Sequence, residues 1–324
     1  MRELLKKREF TLLLLIAFML LLIVTQAPSF VSPENILRII NDTSILIMVS
    51  IGQFLVILTG GIDLSVGAII GFSGMAASMM NQYYPDLPVI LILFAGLGIG
   101  TLLGLINGLL VAYGKVPPII TTLGTMSIFR GFTFVLSKGQ WVTAHEMTES
   151  YMNIPHGSLF GLSNLIWAGL IVSLSMYYFM KYVRTGREIY AIGGNKVAAL
   201  FVGVKEKKIN ITVYSIVGLL SGLAGVMWTA RYAAAVNETA IGFELSTVAA
   251  CVLGGVSIAG GSGAVVGVIL GALFLGILTN ALPVVNLSPF YQLGLQGIVI
   301  LGAMIINTLS DKRNQKKLLK RRLQ

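Results

Sequence analysis

A chain of 324 residues that is 56% hydrophobic and only 11% charged, with a mean hydropathy of +0.86, lies far from soluble domains, in which roughly 25% of residues are charged. This excludes an ordinary soluble domain and marks a polytopic membrane protein embedded in a lipid bilayer. The net charge of +10 does not indicate a nucleic-acid partner, because the basic residues flank apolar stretches in the positive-inside pattern. One cysteine, Cys251, sits in an apolar run, and His145 and His156 share one polar loop. That excludes an intrachain disulfide and offers neither a thiolate cluster nor zinc-site spacing, so neither a metal nor a cofactor is expected.

In chain order, a basic N-terminal stretch precedes residues 10–27, an apolar run about as long as the roughly 17–25 residues a span requires. Its length and the lack of a small-residue cleavage site read as an uncleaved first span rather than a signal peptide. Residues 36–58 form the second span, which ends in TGGIDLSVG at 59–67. Gly60 and Gly61 permit a backbone break, and Asp63 is costly at membrane depth unless it faces protein or water. Two readings stay open: Asp63 and Ser65 lie beside a translocation path, or Asp63 caps the third span, 68–80, from a cytosolic turn.

Residues 88–113 form a span with Gly96, Gly100, Gly104 and Gly108 on one face. Such a row lets a neighbouring backbone approach closely, within one protomer or between two. Asn107, on the same helix, is a further candidate for the path. A turn at 114–118, closed by a diproline that restarts the helix, leads to the span 119–136. That span carries Arg130, which either snorkels to the headgroups or lies in a hydrated pathway. Residues 137–161 are the longest outside loop, polar and aromatic, and 162–182 return the chain to the inside.

Residues 184–208 are the long polar, basic segment between apolar spans in mid-chain. Gly193 and Gly194 read as a flexible turn and Asn195 as a cap, followed by a short helix that Gly203 closes. Two turns are too few to be stable alone, so either the protein's own membrane-side surface or a partner holds them. Further spans follow at 209–230, with Gly218, Gly222 and Gly225, at 246–259, at 264–282 and at 289–309, with a second outside loop at 232–244. The glycine-rich string at 252–263 echoes 58–65, either by internal duplication or by chance. Ten spans starting inside put most of the 23 Lys and Arg residues on the cytosolic side, including the basic tail at 310–324. The expected architecture is a single all-α transmembrane domain, residues 1–324, of about ten helices with glycine-interrupted segments, N-in and C-in.

No phosphate-cradling GxxxxGK loop followed by serine or threonine occurs, and no GxSxG elbow or HExxH pair. The chain reads as a transport protein rather than an enzyme. An ion-coupled secondary carrier would bury several ionisable residues as a relay, whereas only Asp63 and Arg130 stand at depth.

Several motifs carry a resemblance: TGGIDLSVG, TTLGTMSIFRG, GREIYAIGGNKVAALFVGV and LGGVSIAGGSGAVVG. Together they resemble the permease subunits of the ribose-permease family of ATP-binding-cassette (ABC) sugar importers, over nearly the whole chain. The resemblance implies a cytoplasmic coupling helix seated in a groove of a separate ATPase subunit, which binds the ATP. Its docking positions would be Gly193, Gly194, Asn195, Lys196, Ala198, Ala199 and Gly203. It also implies a solute-binding protein received by the 137–161 loop, a second permease, identical or paralogous, and a bacterial inner membrane location. The implied cargo is a monosaccharide: a ribose-like pentose, a hexose or rhamnose. KGQW and AACVLGGVSIAGGSGA resemble the autoinducer-2 and rhamnose branches as well, so autoinducer-2 is an alternative cargo. A secondary sugar carrier is the alternative from another class.

Overall fold

The structure, a computed structural model, describes residues 8–284 and isolated positions between 291 and 305. Apart from those positions, the expected tenth span lies outside the described residues, as do the basic tail and the basic run before Arg8. Seven described helices are long and apolar enough to cross a membrane: α1 (Arg8–Gln26), α2 (Pro33–Leu58), α4 (Val89–Ala112), α5 (Pro118–Ser137), α7 (Asn164–Tyr182), α10 (Glu206–Tyr232) and α12 (Val265–Val284). Between them lie α3 (Val66–Tyr83), α6 (Glu149–His156), α8 (Arg184–Gly194), α9 (Lys196–Phe201) and α11 (Phe243–Leu253). Helix α3 has the length of a span, but buried Ser73, Ser78 and Asn81 lower its apolarity; it is shielded by α4, α5 and α10.

The expected span at 246–259 takes a different form. Helix α11 has 11 residues, about 16 Å at a rise of 1.5 Å per residue, roughly half of a 30 Å hydrocarbon core. Beyond it the chain runs without regular structure to Val265. Gly255, Gly260, Gly261 and Gly263 all take positive φ there, a region that only glycine enters at no steric cost.

Helix α2 is the central spine. Its residues from Thr43 to Leu58 are buried without exception, enclosed by α7, α10, α11 and α12. Helix α10 is the second organising element, and its closest neighbour is α4. A Cβ on Gly100 would stand 2.6 Å from the Gly222 Cα, and one on Gly104 would stand 2.8 Å from the Gly218 Cα. The row of glycines on α4 is therefore a packing face within one protomer. Apolar side chains gain nothing by leaving lipid for each other, so such backbone approach is what membrane helices use to associate. The opposite side of α10 repeats the device against α3, where a Cβ on Gly225 would meet the Gly74 amide at 2.9 Å.

At one end of the bundle the 137–161 segment is a folded cap rather than a solvated loop. Strand β1 (Val142–Thr143) pairs antiparallel with β4 (Ala234–Ala235), which lies directly after α10. Asn81 and Thr148 bond reciprocally at 2.9 and 2.8 Å. Tyr151 is fully buried, and its hydroxyl lies 2.8 Å from Thr229 Oγ1. A short hairpin, β2 (Ser158–Leu159) with β3 (Leu162–Ser163), leads into α7. Helices α8 and α9 occupy the other end.

Candidate coupling helix and buried polar cluster

Helix α8 is amphipathic, with Ile189 and Ile192 buried and Arg184 paired to Glu188 at 2.6 Å on its exposed side. The Asn195 side chain then accepts from the Ala198 amide at 3.0 Å and caps α9. Gly203, at φ +86°, lets the chain turn out of the helix. A six-residue helix has too few internal hydrogen bonds to persist alone. Here Ala199 is buried in the chain's own core, and Lys196 reaches Glu206 of α10 at 2.7 Å.

Gly193 and Gly194 are not a flexible turn. They end α8, and a Cβ on Gly193 would collide with the Leu58 carbonyl. The Gly261 amide donates to that same carbonyl at 2.9 Å, and the Tyr190 hydroxyl donates to the Gly263 carbonyl at 2.9 Å. Three glycine-bearing breaks thus meet at one point: the end of α2, the end of α8, and the segment after α11. The two strings that echo each other in sequence are in direct backbone contact.

The docking positions expected from sequence divide accordingly. Gly194, Asn195, Lys196, Ala198 and Gly203 are exposed, Gly193 is half-buried, and Ala199 faces inward. The large apolar side chains exposed on α9 and at the residue after it are Val197, Leu200, Phe201 and Val202, with Phe201 86% exposed. Attention to small residues overlooks these four. The signal was available in the spacing of Val197, Leu200 and Phe201, which share one helical face.

The second site is the break between α2 and α3. Asp63 is fully buried, and its Oδ1 accepts from the Ser65 amide at 2.8 Å and the Ser65 hydroxyl at 2.6 Å. Asn107 Nδ2 donates to the Ser65 hydroxyl oxygen at 2.8 Å. With its amide oriented to satisfy both groups, Gln53 of α2 donates to the Asp63 carbonyl and accepts from the Asp63 amide, each at 3.1 Å. The Leu64 amide donates to Thr122 Oγ1 of α5 at 3.1 Å. Side chains from α2, α4 and α5 therefore fix a non-helical segment, as buried backbone away from water demands. Asp63 Oδ2, Asn107 Oδ1 and the Tyr214 hydroxyl are buried without hydrogen-bond partners among the described residues.

Asp63, Ser65 and Asn107 form one cluster, and Arg130 is not part of it. It neither snorkels nor joins the others: its Nη1 donates to the Thr239 carbonyl at 2.6 Å and to the Asn237 carbonyl at 3.2 Å, holding the turn before α11.

Comparison with known proteins gives the lineage. The model of the family described as "Branched-chain amino acid transport system / permease component" matches residues 35–304. The ribose import permease protein RbsC of Haemophilus influenzae is 38% identical over 316 residues, 96% of each chain. RbsC of Bacillus subtilis is 40% identical over 293 residues, 90% of each chain. The D-allose transport system permease protein AlsC of Escherichia coli is 36% identical over 283 residues, 87% of this chain and 86% of its own. No solved structure matches the chain. A family model spanning most of the sequence, relatives aligned over nearly their full lengths and a bundle of apolar helices agree: the chain belongs to the branched-chain amino acid transport system/permease component family, as a membrane transport component and not an enzyme.

Proposed function

We propose that the chain is the membrane-spanning subunit of an ATP-driven importer for a monosaccharide, working with a second permease copy or paralogue in a bacterial inner membrane. A solute-binding protein delivers the sugar to the end capped by α6, and an ABC ATPase subunit docks at the end that carries α9. The N-terminus and the α9 end are cytosolic. The observation that carries this reading is the exposed apolar face of α9 on a helix otherwise pinned to its own protein. An apolar face left on a water-facing element marks an interaction surface.

The geometry supports a coupling route. An ATPase gripping Val197, Leu200, Phe201 and Val202 moves α9 with α8, because Ala199 and the Lys196–Glu206 pair bind α9 to the bundle. Helix α8 bears through Gly193 directly on the Leu58 carbonyl and on Gly261. Those contacts lead into both non-helical segments, the one at Asp63 and the one after α11. Broken helices of this kind line substrate paths in transporters, and Asp63, Ser65 and Asn107 are the polar groups at the first break.

The test is uptake of labelled pentoses, hexoses, deoxyhexoses and autoinducer-2 in cells with and without this chain, repeated under ATP depletion and under an uncoupler. One compound lost with the chain and with ATP, but kept under the uncoupler, is the expected result and names the cargo. Uptake that collapses with the uncoupler while ATP is maintained marks an ion-coupled carrier and overturns the reading.

A further inference from the structure

A cavity of ≈ 380 Å³ lies between α2, α10, α11 and α12, towards the α6 end of the bundle. This is a small-ligand size, within the roughly 300–1,000 Å³ of binding pockets. Its wall is divided chemically. One part is aromatic: the Trp228 ring stands perpendicular to Phe243 at 5.2 Å and lies 5.6 Å from Tyr232. The other part is polar, with Asp42, Ser246 and Asn280. None of these residues belongs to the coupling helix or to the Asp63 cluster.

The polar groups are ready to meet a neutral, hydroxyl-bearing ligand. The Asp42 carboxylate is paired with Arg231 of α10, so its charge is balanced, and its remaining capacity is to accept hydrogen bonds. Asn280 spends its amide N–H on the Gly276 carbonyl at 2.9 Å, which leaves its Oδ1 as an acceptor. The Ser246 hydroxyl makes no hydrogen bond among the described residues and offers both a donor and an acceptor. A lipid chain has no use for these groups, and a free cation has no use for a carboxylate already neutralised. A pyranose or furanose ring uses both walls: its C–H face lies on an aromatic ring, and its hydroxyls donate to the carboxylate and the amide oxygen.

We infer that this cavity binds a single monosaccharide ring on its way into the path, with Trp228 and Phe243 as the stacking platform and Asp42, Ser246 and Asn280 reading the hydroxyls. The inference rests on the sugar-importer reading above. It adds to that reading a selectivity site in the permease itself, separate from the solute-binding protein.

The experiment uses the complete importer, permease with its ATPase subunit in lipid nanodiscs, without the solute-binding protein. Saturation-transfer NMR is recorded against D-ribose, D-xylose, D-allose and D-glucose, and the same complex in proteoliposomes with its binding protein is assayed for uptake. The expected result is a saturable signal on the C–H protons of the transported sugar. Ser246→Leu and Asn280→Leu should each weaken it at least tenfold, and Trp228→Phe, which keeps an aromatic face, should weaken it less than Trp228→Leu. Intact uptake with no saturable signal, or with a signal that neither leucine substitution changes, overturns the site while the importer reading stands. Absence of uptake for every pentose, hexose and deoxyhexose of the uptake panel above overturns the importer reading and the site with it.

Discussion

Asp63 is held by four groups that do different things. Ser65 occupies one carboxylate oxygen through both its amide and its hydroxyl, and Asn107 fixes that hydroxyl in turn. Gln53 satisfies the Asp63 backbone on both sides. An acceptor at Oδ1 is what the cluster uses, so an amide in place of the carboxylate keeps the geometry. Asp63→Asn is expected to retain ATP-dependent uptake within a few-fold of the parent, whereas loss of all uptake in that variant would favour an ion carrier. Gln53→Leu strands two buried backbone groups, at a cost of about 1–3 kcal/mol each. A thermal melt of the purified protein should show it clearly destabilised, and an unchanged midpoint would refute the role given to Gln53.

Long-range partners decide which of these polar residues a sequence can reveal. Asp63, Ser65 and Asn107 were each visible as polar groups in apolar surroundings, and the structure joins them. Gln53 is not legible in this way, because a glutamine inside a long helix gives no sign of which backbone it faces. Arg130 was visible, but its partners lie more than a hundred positions away, in a turn that helical periodicity cannot place.

Among the elements, helix α10 is defined by its glycines. Gly218 and Gly222 seat it on α4, and Gly225 seats it on α3. Gly104→Val would insert a branched side chain where the facing backbone already stands at contact distance, and overpacking of this sort costs typically about 1–3 kcal/mol. The variant is expected to lose thermal stability and yield on extraction. By contrast, a Cβ on Gly124 or Gly131 of α5 meets nothing within 4 Å, so Gly→Ala at those positions should be neutral or slightly stabilising, since alanine is the better helix former. Equal effects at the two sets of sites would contradict the packing.

Most helices were legible as elements because an apolar run of span length has few other uses in a chain this hydrophobic. The Asn195 cap and the Gly203 stop were legible because capping is local chemistry. Helix α11 was not, since an apolar run does not show that glycines after Leu253 divide it. The folded cap at 137–161 was hidden too. Its order comes from Tyr151 and Thr148 reaching into α3 and α10, contacts that a polar, aromatic loop does not advertise. Burial of Ala199 is a further case: a two-turn helix presents every face, and only the packed neighbours decide which one is inside.

At the scale of the molecule, the two ends have different characters. One is closed by α6, the β1–β4 pair and their bonds to α3 and α10. The other exposes a short helix resting on the meeting point of three breaks. An N-in orientation puts that second end in the cytosol. The single cysteine, Cys251, is buried, so a cysteine introduced at exposed Asn195 can be read without removing it. Labelling by an impermeant maleimide should occur in inside-out vesicles and be absent in intact, outer-membrane-permeabilised cells; the reverse pattern would invert the topology.

On the proposed reading, force enters through the exposed face of α9. The decisive measurement is co-purification of the ATPase subunit with the Phe201→Glu permease. Phe201 is 86% exposed, so the substitution leaves the permease core untouched, while burial of a phenylalanine at an interface contributes about 1.5–3 kcal/mol. The variant should insert and melt like the parent but retain the ATPase at least about tenfold more weakly, with uptake lost in proportion. A Phe201→Glu permease that holds its ATPase and transports at the parent rate would contradict it.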